Sequence, residues 1–131
     1  MNIEEGLHDF LKTDSGVNAL VGTKIFPLVA PDTAVPPYIV YQTITDPEEE
    51  THDGPAGIAH PRVQLANVAD SYSAAKALRN AVYGALKGYK GLMGTVNVRH
   101  VKVVNKGFDD HEPETGRTRI LMDAIIWYLE Q

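Results

Sequence analysis

HPRVQLANVADSYSAAKALRNAVYGALK, residues 60–87, sets out a strand and then a helix. In its first part Arg62 and Gln64 alternate with Val63 and Leu65, the two-residue period of a strand with one wet face, so a strand is expected over His60 to Val68. Asp70 or Ser71 then offers an N-cap. Ala75, Leu78, Val82, Ala85 and Leu86 recur at helical spacing behind it, which predicts an amphipathic helix from Tyr72 to Lys87, ended by Gly88.

Toward the N-terminus, YIVYQTIT (Tyr38 to Thr45) is β-branched and aromatic on both faces, as suits a strand well inside a sheet. Four prolines between Pro27 and Pro37 exclude a helix or central strand there and leave an extended surface connection. A short strand is expected at Lys24 to Leu28. Before it, Ile3, Leu7, Phe10 and Leu11 mark a first helix. A second one, capped by Asp14 or Ser15, carries Val17, Leu20 and Val21 as far as Gly22.

Toward the C-terminus, Val96 to Val104 reads as a strand whose apolar set changes phase between Val98 and Val101, which predicts a bulge or a shift of face near Arg99 and His100. GYKGLMG (Gly88 to Gly94) reads as a helix exit and FDDHEPETGR as an acidic loop. In the last strand, Thr118 to Leu129, Ile120, Met122, Ala124, Ile126 and Tyr128 face one way; Leu121, Ile125 and Trp127 share the other face with Asp123. The order ααβββαββ predicts one α+β domain over residues 1–131. Its mainly antiparallel sheet has about five strands and carries helices on one face.

The chain of 131 residues has no cysteine, which excludes disulfides, thiolate metal sites and a cysteine nucleophile. Two glutamates near the N-terminus and no long apolar run argue against a secretory signal or a membrane span, so a protein of the cytoplasm, or of a particle built there, is expected. The net charge of −5 is unevenly spread. Residues 1–61 carry 2 basic and 10 acidic side chains, residues 62–106 carry 8 and 1, and residues 107–131 carry 2 and 6. Such segments either pair within the fold or give the surface a positive and a negative side suited to head-to-tail contact between copies.

No catalytic or metal-binding constellation stands out. The five histidines lack paired spacing, and the run Asp109, Asp110, His111, Glu112 and Glu114 lacks the alternation and central glycine of a calcium loop. Ser15, Ser71 and Ser73 sit where helix caps belong, with no nucleophile elbow around them. The basic block Arg62, Lys76, Arg79, Lys87, Lys90, Arg99, Lys102 and Lys106 is the one feature suited to phosphate. It stands without an aromatic-basic signature, and Tyr72, Tyr83 and Tyr89 read as packing residues. No enzyme activity and no cofactor are expected.

Three stretches carry a resemblance: ALVGTKIFPLVAPDTAVPPYIVYQTI, SYSAAKALRNAVYGAL and FDDHEPETGRTRILMDAIIWY. In this order and spacing the chain resembles the tail-completion proteins of long-tailed bacteriophages and prophages over nearly its full length. Its most specific parts are Gly22, Lys24, Phe26 and Pro27, the strand entry from Pro37 to Tyr41, and the closing acidic loop with Trp127 and Tyr128. Where that family usually has a large apolar residue after the strand's aspartate, this chain has Ala124.

The resemblance implies a fold similar to the tail terminator of phage lambda and a structural virion protein of the tail and neck, assembled in the host cytoplasm. As a homo-oligomeric ring of six copies it would cap the head-proximal end of the tail tube. Its partners would be the tail tube protein and the head-tail connector or stopper protein, with DNA passing through unbound and no membrane involved. A monomeric protein-binding adaptor of unrelated biology is the rival reading, and a small enzyme with a cryptic site stands behind it. The loops Thr45 to Gly57 and Gly107 to Arg117 are expected to order only against a neighbour. The expected interface residues are Asp46, Glu48, Glu49, Glu50 and Asp53, then Asp109, Asp110, Glu112, Glu114 and Arg117, with Arg62, Arg99 and Lys102 on the basic side.

Overall fold

The computed structural model describes residues 2–47 and 57–130. Helix α1 (Ile3–Thr13) starts in a capping box: Asn2 accepts from the Glu5 N–H (2.8 Å) while the Glu5 carboxylate takes the Asn2 N–H. It buries Ile3, Gly6, Leu7 and Leu11. Asp14 ends α1 and caps α2 (Ser15–Val21), its carboxylate accepting from the Val17 N–H at 3.1 Å. Only Val17 and Val21 of α2 are buried, and Leu20 lies 40% exposed. Helix α3 (Tyr72–Leu86) is capped by Ser71 and buries Ala75, Leu78, Val82 and Leu86, the stripe read from the sequence with Ala85 at its margin.

The strands are β1 (Ile25–Pro27), β2 (Tyr38–Thr45), β3 (Ile58–Ala59), β4 (Arg62–Ala69), β5 (Gly91–Met93), β6 (Val96–Glu112) and β7 (Arg117–Leu129). They form one sheet in the order β1-β2-β4-β7-β6-β5, with β3 paired to the end of β7. The expected five strands are thus corrected to seven among the described residues, and one pair, β1 with β2, is parallel. The two unforeseen strands are two and three residues long, too short to show a period. The supposed helix exit GYKGLMG contains β5.

The supposed acidic loop is also corrected. β6 runs on to Glu112 and pairs with β7 through Glu112↔Arg117, so the turn is confined to residues 113–116. An edge strand wet on both faces has no apolar alternation to reveal it, and cross-strand hydrogen bonds hold it regardless. Gly107 to Glu112 is therefore structured within a single chain, contrary to the expectation that it orders only against a neighbour. The bulge expected near Arg99 is present, since Val98 pairs with Tyr128 and His100 with Trp127, leaving Arg99 extra.

All three helices pack on one face of the sheet over a single core, which includes Leu7, Leu11, Ile39, Leu65, Leu78 and Ile126. α1 touches both outer strands, β1 and β5, and so spans the two ends of the sheet order. A smaller cluster on the opposite face, Ala34, Tyr38 and Val68 with Phe26 and Val40, lies under the proline-rich connection. That connection begins with Leu28 at φ 67, a left-handed conformation costly for a branched side chain, held by its N–H donating to the Tyr41 carbonyl (2.8 Å). No described helix is long and apolar enough to cross a membrane.

Arg117 pins this connection from the far side. Its guanidinium donates to the Tyr38 hydroxyl (3.1 Å) and the Ala34 carbonyl (3.2 Å) and lies over the Tyr38 ring. Arg117→Ala is expected to cost about 1 to 2 kcal/mol, the sum of two modest hydrogen bonds and a ring contact. Hydrogen exchange of residues 28–37 would quicken relative to the helices; unchanged exchange there would refute the pinning role.

Candidate assembly surfaces

Strand alternation sends Asp109 and His111 to one side of β6 and Asp110 and Glu112 to the other, so the acidic run does not converge. Among the described residues no group of three or more histidine, aspartate or glutamate side chains is placed to hold a metal. Several expected interface residues turn out to have partners within the chain. Arg62 pairs with Asp123 at 2.7 Å, Asp110 pairs with Arg119, Asp109 accepts from the Tyr72 hydroxyl at 3.1 Å, and Arg117 is the pin described above.

Asp46, Arg99, Lys102 and Glu114 are exposed, and Glu112 is half-buried. Glu48, Glu49, Glu50 and Asp53, with most of the Thr45 to Gly57 loop, lie outside the described residues. Arg99 sits in the bulge of β6. Lys102 points to the face away from the helices, one residue after the buried Val101.

The basic residues of α3 and β6 form a cluster that sequence spacing showed only in part. Tyr83 is the centre: Lys106 Nζ lies 5.3 Å from its ring centroid, Lys87 Nζ 5.5 Å and the Arg79 guanidinium 5.9 Å. Arg79, Tyr83 and Lys87 are spaced four apart on one helix face, a signal visible in the sequence. Lys106 joins them only because the long β6 lies beside α3. Lys76, over the Tyr72 ring at 5.7 Å, extends the cluster to a cleft shared with Gly107, Phe108 and Asp109, where Phe108 is 60% exposed.

A group of carboxylates gathers elsewhere, around Tyr41 and Tyr128. Glu4 accepts from the Thr43 hydroxyl at 2.9 Å, which joins the start of α1 to the end of β2. Burial, and then the charges of Glu4, Glu5 and Asp9, hold the Tyr41 hydroxyl above the usual phenol range. Burial, and then Asp46, Glu130 and Glu4, do the same for Tyr128. Among the described residues the ion pairs are Arg62–Asp123 and Arg119–Asp110, so neither the basic cluster nor this carboxylate rim is neutralised there.

The family model of tail completion protein gp17 matches residues 5–129 of the chain. The chain belongs to that family. Its members are structural tail proteins of bacteriophage virions and not a family of enzymes, so this tail completion protein is a tail component. No individually curated protein matches it. Among solved structures it is similar to a chain from the "Virion of native gene transfer agent (GTA) particle", with 19% identity and a TM-score of 0.72 over 94% of this chain and 91% of that one. At that identity the likeness speaks for the fold.

Within the family match, Ala124 is fully buried between Val63 of β4 and Val103 of β6. The small residue there sits under the helices in a continuous core.

Proposed function

We propose that this tail completion protein closes the head-proximal end of the tail tube as a ring of six copies, stops tube growth and presents a surface to the head-tail connector or stopper protein. The match to the tail completion family across residues 5–129 carries this reading. The charge layout supports it, because a ring of identical copies needs two different faces that fit each other. DNA passes through without sequence-specific contact, and the ring works in the neck of the virion after assembly in the host cytoplasm.

The test is assembly with the protein withheld and restored. Without it, tail tubes are expected to vary in length and to lack heads. With it, electron microscopy should show tubes of one length, each ending in a sixfold particle. Tubes of normal length joined to heads in its absence would overturn the reading, as would a one-to-one complex with a single partner and no cyclic particle.

A further inference from the structure

The basic cluster is crowded for an isolated surface. Three cations lie within 6 Å of one tyrosine ring, and among the described residues the only carboxylate lining the adjoining cleft is that of Asp109, which also accepts from Tyr72. Like charges at such spacing repel, and the repulsion is relieved when an anionic partner docks. Arg79 lines that cleft together with Lys76 and Lys106. Beside it the exposed Phe108 ring adds an apolar anchor, as protein contacts favour.

We infer that Lys76, Arg79, Lys87 and Lys106 of one copy dock the carboxylate rim of Glu4, Glu5, Asp9, Asp46 and Glu130 of the next copy. The same chain carries both sets in comparable number, neither set forms ion pairs among the described residues, and they sit on different elements, α3 with β6 against α1 with the ends of β2 and β7. Two unlike faces give a heterologous contact, which propagates from copy to copy and closes only at a fixed angle. Duplex DNA is the competing occupant. It would leave the rim unneutralised.

The inference rests on the ring reading, and one experiment separates the two. Lys87→Glu with Lys106→Glu reverses the basic face, and Asp46→Lys with Glu130→Lys reverses the rim; all four side chains are exposed, so folding should persist, as circular dichroism would check. With tail tubes present and rings counted by electron microscopy, each double variant alone should form at least tenfold fewer rings than the native chain. An equal mixture of the two should restore them, because each reversed face then meets the other. Native-like rings from either variant, or no recovery on mixing, would overturn the proposed contact and leave the ring standing. No rings from the native chain would remove both. Rings unchanged in the basic-face variant, with salt-sensitive retention on duplex DNA lost, would assign the cluster to DNA.

Discussion

Gly6→Ala should lower the melting temperature by about 6 to 10 °C, taking about 2 kcal/mol and a few degrees per kcal/mol for a domain of this size. On helix propensity alone the substitution would stabilise α1 by about 1 kcal/mol. The structure reverses that sign. A Cβ on Gly6 would lie 2.5 Å from the carbonyl oxygen of Met93 and 3.2 Å from a Val96 methyl. The first of these is backbone, fixed in β5 by its pairing with β6, so the helix must lift and Ile3 and Leu7 lose packing. Thermal unfolding of the single variant reads the outcome, and a rise in melting temperature would show that α1 is not seated against β5.

Leu65→Ala is expected to cost about 3 to 5 kcal/mol, the usual range for a fully buried leucine that leaves a cavity. Leu65 stands in the middle of β4, paired with Tyr41 on one side and Met122 on the other, on the face beneath the helices. Neighbours held by two strands relax poorly into the space. That loss is a large part of the 5 to 15 kcal/mol typical of a domain. Leu20→Ala is the control, expected within about 0.5 kcal/mol because Leu20 is already 40% exposed. Equal effects in denaturant unfolding would contradict the assigned core.

The interior was legible because burial imposes a period. The faces of the last strand and the stripe of α3 follow from alternation and from the three-to-four spacing, and the structure places Ile120, Met122, Ala124 and Ile126 inward. The bulge at Arg99 was legible for the same reason, as a break in that period. Residues 105–112 were not, because a wet edge strand has no apolar rhythm and its aspartates and glycine imitate a turn. β3 is held by a partner distant in sequence, Ala59 against Tyr128, which no local window contains, and β5, although its partner follows at once, is too short to show a period.

The surface was harder still. Charge totals by segment told of imbalance without telling which side chains meet. Arg62 and Asp123 are 61 residues apart and pair, whereas Lys87 and Lys106 converge on Tyr83 because α3 and β6 lie side by side. A tally along the chain cannot separate those two fates.

The seating of α1 against both end strands has a consequence for synthesis. The segment 3–13 is synthesised some eighty residues (93 − 13) before Met93 and Val96, the groups that Gly6 packs against. Until then its apolar stripe has only part of its eventual cover, and the sequence distance slows the final closure. The nascent chain therefore completes its fold late, and the first helix is the latch that marks a copy as finished.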